Sequence, residues 1–289
     1  MRKLLLLPVL SAFLSLSVWA EAEAITIASF NIQIFGVSKM SKPAVVSILT
    51  DIVSRYDLAA VQEVRSVSEE PVLSFMALLP PRYSYVLGPR EGRSSSKEQF
   101  WIIYDTEKLT LLDSVTWPDP DDIYERNPLG VYFKTAGDFD FILIDNHVKP
   151  SDTVPEISAL PDVAAYFQTL WHDDDVLIVG DLNADGSYYD ERLLIEVFPE
   201  TGYTIIITNE YDTTTAASSN TYDRIIITKS AEDYYTGNFG VLRYDELFDF
   251  EALGLEPKNV SDHFPVWAEF SVDRAGPTPW SAPDPDTSR

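Results

Sequence analysis

The chain has 289 residues, 45% of them hydrophobic, which is enough for one large α/β or β-sandwich domain with a buried core, or for two small ones. It contains no cysteine, so disulfides are excluded and the fold must be held by packing, with or without bound ions. Its formal net charge is −25, whereas proteins that bind nucleic acids usually carry positive charge to neutralise phosphates.

This acidic composition makes DNA an unexpected partner on charge alone. Salt weakens the attraction between proteins and DNA, but it also shields carboxylates from phosphates. A surface this acidic is typical of a protein that stays soluble under strong screening. Adaptation to a salty medium is therefore a hypothesis that the composition supports.

The first residues have the layout of an export signal. Two basic residues precede an apolar run over residues 4–19, and alanines then alternate with other residues from position 20 to 24. This pattern predicts a secretory signal peptide over residues 1–22 and a secreted protein. A retained membrane anchor is the alternative, but the apolar run is shorter than the about 20 residues that span a bilayer, so no membrane partner is expected.

The remaining chain is predicted to form one domain over residues 23–273, followed by a disordered, proline-rich tail over 274–289. Apolar residues at helical spacing predict helices over 42–56 and over 155–171, the second interrupted by Pro161. Short apolar runs bounded by turns predict strands over 25–30, 58–61, 83–87, 100–104, 109–115, 129–133, 139–144, 176–179, 224–227 and 266–270. Many strands with few helices between them favour packed sheets with helices outside.

Two of the three histidines lie at strand boundaries beside other polar residues, His147 after Asp145-Asn146 and His263 after Ser261-Asp262. Histidine suits proton transfer near neutral pH, and phosphodiester hydrolysis requires a general acid and a general base. A single histidine at a strand end is as often structural as functional. Here, however, further polar side chains follow the ends of other apolar strands, namely those of Asn31, Glu63, Asp181 and Asn183. Oxygen ligands of this kind suit Mg²⁺.

Five short motifs occur in the order found in the endonuclease/exonuclease/phosphatase superfamily. They are Phe30-Asn31-Ile32, Gln62-Glu63, Gly180-Asp181-Leu182-Asn183-Ala184-Asp185, Tyr222-Asp223-Arg224 and Ser261-Asp262-His263. Within this superfamily the chain resembles a deoxyribonuclease I from about residue 25 to residue 270. The resemblance implies an α/β fold in four layers, an α/β/β/α sandwich of two packed, mainly antiparallel sheets flanked by helices, with the site at one edge of the sheets.

The resemblance also implies a catalytic role for six residues. Glu98 would orient and charge-stabilise His147, and Asp223 would do the same for His263. One histidine would activate water and the other would protonate the leaving 3′-oxygen, and which is which stays open. The scissile phosphate or the attacking water would be held by Asp181 and Asn183.

Metal and substrate contacts follow from the same resemblance. A divalent ion, Mg²⁺ or Mn²⁺, would lie among Asn31, Glu63 and Asp262, and a structural Ca²⁺ would be bound by Asp212 and Thr214, although Asp-Thr-Thr is also an ordinary turn sequence. DNA would be gripped by Arg65 and Arg126. Two other positions depart from the family, since Gln33 replaces an arginine and Ser96 a tyrosine, and both changes weaken the expected grip on DNA.

The expected function is that of a secreted, monomeric, metal-dependent endonuclease that cuts DNA with little sequence specificity and prefers double strands. A secreted sphingomyelinase-like phosphodiesterase is the alternative within enzymes, because the same superfamily core serves several substrates. A non-catalytic binding relative is the alternative outside enzymes. The presence of both histidines with their carboxylates argues against that third reading.

Overall fold

The computed structural model describes residues 23–274. The predicted signal peptide and nearly all of the predicted tail lie outside the described residues. Residues 23–274 contain twelve strands: Ala24–Phe35 (β1), Leu58–Val64 (β2), Tyr83–Leu87 (β3), Gln99–Asp105 (β4), Thr110–Thr116 (β5), Leu129–Lys134 (β6), Asp140–His147 (β7), Val176–Asp181 (β8), Tyr203–Ile205 (β9), Asp223–Thr228 (β10), Tyr235–Val241 (β11) and Val266–Ser271 (β12).

The α-helices lie between these strands. They are Val37–Met40 (α1), Pro43–Val53 (α2), Glu70–Met76 (α3), Thr153–Trp171 (α4), Leu194–Val197 (α5), Tyr244–Leu247 (α6) and Phe250–Leu253 (α7). Only α2 and α4 are long, which agrees with the two helices predicted from the sequence. Pro161 lies inside α4 without ending it.

The strands form two six-stranded sheets, in the orders β11-β12-β1-β2-β4-β3 and β5-β6-β7-β8-β10-β9. Each sheet has one parallel pair at its centre, β1 with β2 and β7 with β8, and all its other neighbours are antiparallel. The predicted sandwich of mainly antiparallel sheets is confirmed. The two central strands of a parallel pair end at the same edge of their sheet, and polar groups placed there converge.

Three apolar clusters hold the layers together. One fills the space between the sheets, a second packs the first sheet against α2 and α3, and a third packs the second sheet against α4 and α5. Successive side chains of a strand point to opposite faces, so alternate residues face the space between the sheets. Along β7 these inward positions run from Phe141 and Leu143 to Asp145 and His147, so the inner layer changes from apolar to polar at one edge.

Several strands are longer than the sequence predicted, at the end where the polar residues lie. The prediction ended β1 at Phe30 and β7 at Ile144, but β1 continues to Phe35 and β7 to His147. The apolar residues that marked these strands stop at Phe30 and Ile144. The strands themselves continue, and the added stretches include polar residues of the site. The sequence patterns do not predict the short helices α1, α3, α5, α6 and α7 or the strands β9 and β11.

Candidate active site

Two histidine-carboxylate pairs converge on one buried aspartate at the polar edge of the sheets. The Nε2 atoms of His147 and His263 lie 3.4 and 3.5 Å from Oδ2 of Asp181. The Nδ1 atom of His147 lies 2.7 Å from Oε1 of Glu98, and Nδ1 of His263 lies 2.8 Å from Oδ2 of Asp223. Each ring thus has its own carboxylate at Nδ1, through a hydrogen bond for His263 and an ion pair for His147, and both Nε2 atoms face Oδ2 of Asp181.

The charges around these rings favour their protonated forms. Burial lowers the pKa of His263, but Asp223 and Asp181 outweigh it, and the net effect is a raised pKa. For His147, burial and Arg126 lower the pKa, and Glu98 and Asp181 raise it by more. Either ring can therefore donate a proton near neutral pH.

Glu98 joins His147 to both arginines that the sequence singled out. Its Oε1 atom lies 2.6 Å from Nε of Arg126 and its Oε2 atom lies 3.3 Å from Nε of Arg65. Burial raises the pKa of Glu98, but His147, Arg126 and Arg65 together lower it to about 2. Arg126 also donates to the main-chain oxygen of His147. The two arginines therefore hold the carboxylate of Glu98 in place beside His147.

Asn31 and Glu63 come together at an irregular stretch between β1 and β2. The Nδ2 atom of Asn31 donates to Oδ2 of Asp181 at 2.9 Å and to Oε1 of Glu63 at 3.2 Å. In the pairing of the two strands, the register shifts between Asn31 and Phe35. Gln33, Ile34 and Glu63 all have positive φ there, between 46 and 66°. Such strain in residues other than glycine is characteristic of functional sites.

Asp181 is the last residue of β8, and Asn183 lies in the loop that follows. Gly180 has a φ of 138°, and a Cβ added there would meet the main-chain oxygen of Asn146 at 1.8 Å, so only glycine fits. The main-chain N–H of Asn183 donates to Oδ1 of Asp181, and its Nδ2 atom donates to the main-chain oxygen of Val148. The two residues that the sequence placed on one side of the strand end are therefore in direct contact.

The donors fit a divalent cation. The carboxylates of Glu63 and Asp181 both lie beside the amide nitrogen of Asn31, whose oxygen accepts from the N–H of Gln33. Asp262 lies beside His263, with Oδ1 at 3.9 Å from Nε2. One ligand atom each from Asp181, Asp223 and His263 also lies within 4.8 Å of the others. In this trio, His263 is already hydrogen-bonded to Asp223 through Nδ1 and faces Asp181 through Nε2, so both of its ring nitrogens are engaged. Mg²⁺ prefers carboxylate and amide oxygens, so Asn31, Glu63 and Asp262 suit it better than the trio that contains His263.

The predicted calcium loop lies against the same centre. Oδ1 of Asp212 accepts hydrogen bonds from the N–H and the hydroxyl of Thr214 and from the N–H of Asn220. Thr214 forms an isolated bridge with His263. These contacts close an ordinary turn with the protein's own donors, and a calcium ion at Asp212 stays a prediction.

Sequence reasoning missed a buried polar network just beneath the histidines. The Nε2 atom of Gln62 donates to Oδ1 of Asp145 at 2.6 Å and to Oγ of Ser29 at 3.1 Å, and all three residues are fully buried. Burial raises the pKa of Asp145 to about 7 in spite of the opposing effects of Gln62 and His147. Asp145 is two residues before His147 in a strand, and that spacing could have identified it as a residue facing the same layer.

Lys39 and Ser261 were also missed, and they fasten the two halves of the site. The Nζ atom of Lys39 donates to the main-chain oxygens of Ile32 and Val260. Burial lowers the pKa of Lys39 to about 8. The hydroxyl of Ser261 donates to the main-chain oxygen of Asn31 and accepts from the N–H of His263. The main chain around Asn31 is therefore linked by hydrogen bonds to the main chain around His263.

Two mixed sheets between helices, with a centre of two histidine-carboxylate pairs at one sheet edge, define a hydrolase of the α/β/β/α class. The model of the Endonuclease/Exonuclease/phosphatase family matches residues 28–263. The chain belongs to this family, and within it is a deoxyribonuclease I-like member.

Similar proteins support this assignment over most of the chain. Deoxyribonuclease-1-like 2 of Mus musculus is 32% identical over 274 residues, which cover 89% of this chain and 96% of that protein. Deoxyribonuclease-1 of Bos taurus is 33% identical, covering 84% of this chain and 91% of that protein. The comparisons support a phosphodiesterase of the superfamily.

Solved structures share the fold. The crystal structure of D. rerio TDP2 complexed with single strand DNA product has a TM-score of 0.64 at 16% identity, and it covers 86% of this chain and 98% of that chain. In the described residues, no helix is both long and apolar enough to cross a membrane.

Proposed function

We propose that the chain is a secreted endonuclease that hydrolyses DNA phosphodiester bonds with little sequence specificity and acts as a monomer, preferably on double strands. The observation that carries this proposal is the convergence of His147 and His263, each held by a carboxylate, on Asp181. The relatives named Deoxyribonuclease-1 favour DNA over other phosphodiesters.

The geometry supports acid-base hydrolysis at a phosphodiester placed between the two Nε2 atoms. One histidine in its neutral form takes a proton from water as the water oxygen bonds to phosphorus. The other histidine gives its Nε2 proton to the 3′-oxygen as the bond from that oxygen to phosphorus breaks. Glu98 and Asp223 hold the Nδ1 atoms, which fixes the ring tautomers and stabilises each ring when it carries the proton.

The other site residues hold the phosphate and its charge. Asn183 is positioned beside Asp181, and the guanidinium groups of Arg65 and Arg126 lie beside Glu98, where they would contact phosphate oxygens. Asn31, Glu63 and Asp262 would bind Mg²⁺ or Mn²⁺. Such an ion would neutralise charge that develops on the phosphate oxygens.

Adaptation to salt is part of the proposal. A net charge of −25 repels a polyanion in dilute buffer, and ions shorten the range of that repulsion to about 3 Å at 1 M salt. Activity on DNA should therefore persist, or rise, at salt concentrations that weaken binding by basic nucleases. The predicted signal peptide supports action outside the cell.

The test is incubation of the purified protein with supercoiled plasmid and Mg²⁺, with and without Ca²⁺, across a salt series. We expect nicking by the wild type and its loss in His147→Ala and in His263→Ala. His172→Ala is the matched control, because His172 is the third histidine and is exposed at the end of α4. Sphingomyelin vesicles form a parallel arm, and hydrolysis of sphingomyelin with intact plasmid in every condition would refute the proposal.

A further inference from the structure

An exposed apolar surface lies directly beside the catalytic centre. Ile34, Val37 and Val67 are 56%, 65% and 86% exposed, and we call these three side chains the apolar ledge. They line a groove of about 430 Å³ together with Arg65. Arg65 contacts Glu98 and bonds Glu63 at 2.9 Å, so one side chain borders both the groove and the site.

One residue of the ledge, Ile34, has a strained backbone that is bonded to the site itself. Ile34 has a φ of 55°, which is unusual for any residue with a side chain and most unfavourable for a β-branched one. Its main-chain N–H donates to Oε2 of Glu63 at 2.9 Å. The protein thus keeps a strained, exposed isoleucine whose main chain is bonded to Glu63, a proposed metal ligand. Neither the strain nor the exposure stabilises the fold, which points to a contact with substrate.

We infer that the apolar ledge contacts the face of a nucleobase that has left its stack, at a position adjacent to the cleaved bond. This inference rests on the proposed function. Nucleic acid presents phosphates, sugars and polar base edges to a protein, and its extended apolar surface is the face of an unstacked base. Isoleucine and other aliphatic side chains are known as wedges between base steps.

The charge of the protein makes such a contact useful. A chain with net charge −25 gains little from long-range attraction to phosphates, and salt screens what remains. Contact between a base face and aliphatic side chains does not depend on charge and is not weakened by salt. The ledge therefore contributes to substrate binding at high salt, where electrostatic attraction to DNA is weakest.

The test uses an end-labelled, unpaired DNA strand in which one internal residue is abasic, with Mg²⁺ at high salt. Cleavage at each bond is measured along the same strand, so distant bonds serve as an internal reference. For the wild type we expect cleavage next to the abasic residue to fall by about tenfold relative to distant bonds. In Ile34→Asn/Val67→Ser, cleavage should be uniform, and Val67→Ser alone should give an intermediate ratio.

Asparagine is chosen at position 34 because it tolerates positive φ. The matched control is Leu112→Ser, since Leu112 is 45% exposed on β5, away from the polar edge, and this variant should keep the wild-type ratio. Uniform cleavage by the wild type, an unchanged ratio in the double variant, or nicking of plasmid with no cleavage of the unpaired strand would each overturn the inference. Binding of the wild type, but not of the double variant, to sphingomyelin vesicles would overturn it in favour of a lipid contact. Absence of cleavage on every DNA would instead refute the proposed function.

Discussion

The cluster around Glu98 permits a quantitative prediction for Glu98→Gln. Glu98 is 2% exposed, so solvent does little to screen its contacts with His147, Arg126 and Arg65. The fall of its pKa from 4.5 to about 2 corresponds to about 3 kcal/mol, at about 1.4 kcal/mol per pH unit. Because the pKa is lowered in the folded state, this contribution is present above pH 4.5 and is lost as the pH falls toward about 2.

Glutamine keeps the shape and one acceptor oxygen but carries no charge at any pH. We therefore expect Glu98→Gln to lower the free energy of unfolding by about 3 kcal/mol at pH 7, with a difference that shrinks progressively below pH 4.5. Chemical denaturation at about pH 7, 5 and 3.5 would measure it. Glu107→Gln is the matched control, since Glu107 is exposed and its change should fall within about 0.5 kcal/mol.

The same variant tests the role of Glu98 in catalysis. Removing the carboxylate removes an interaction that raises the pKa of His147, so the limb of the pH-rate profile that reports His147 should move to lower pH. A stability difference that is constant from pH 7 to 3.5 would mean that packing, not charge, accounts for the loss. An unmoved pH-rate profile would mean that Glu98 does not tune His147.

Three further predictions concern neighbouring groups. Because the pKa of Asp145 is raised from 3.8 to about 7, the wild type should lose up to about 4 kcal/mol of stability as the pH rises over that range, and Asp145→Asn should not show this loss. Free energies of unfolding that change equally with pH in the wild type and the variant would contradict this. Gly180→Ala should lower the free energy of unfolding by at least about 3 kcal/mol, since its Cβ would overlap the oxygen of Asn146, and a soluble variant with an unchanged melting temperature would disprove the need for glycine. Calcium chelation should lower the melting temperature of the wild type but not of Asp212→Asn, and a wild type indifferent to chelation would exclude calcium at that turn.

The placement of the main candidate site residues could be predicted because it follows from strand ends. His147, Asp181 and Asp223 lie at the ends of β7 and β8 and at the start of β10, where apolar runs give way to polar residues. The resemblance to deoxyribonuclease I then implied the pairing of each histidine with a carboxylate that is distant in sequence. In the structure, both predicted histidine-carboxylate pairs are in contact.

The irregular stretch of β1 and β2 could not be predicted in the same way. The sequence of Gln33 and Ile34 gives no turn signal, and a β-branched residue disfavours the positive φ that the structure assigns to Ile34. In this conformation the N–H of Gln33 bonds locally to Asn31, but the N–H of Ile34 bonds to Glu63, 29 residues away on β2. Local propensity is therefore overridden by tertiary contacts at the site.

The buried network shows a different limit. Asp145 and Gln62 were visible as polar residues near motifs, but their contact joins two sheets across 83 residues of sequence. Whether a buried carboxylate is ionised depends on how completely the opposing sheet excludes water, and only the packed structure establishes that. Lys39 is a similar case, because nothing in its local sequence indicates a buried ammonium group.

The ionisable groups around the site together place the pH of greatest stability below neutrality. Glu98 contributes above pH 4.5, and its contribution is lost in acid. Asp145, His147 and His263 all have raised pKa values, so their contributions are lost as the pH rises, for Asp145 through about 7. Repulsion within a chain of net charge −25 also grows as carboxylates ionise.

We therefore expect the melting temperature at low salt to be highest between about pH 4.5 and 6. About 2 M NaCl should raise the melting temperature most at pH 8, because screening reduces the repulsion but leaves the buried groups almost unaffected. Thermal unfolding from about pH 3.5 to 9 at both salt concentrations would measure this. A melting temperature that climbs steadily from pH 5 to 8 in dilute buffer would show that these buried groups do not have the protonation behaviour assigned to them.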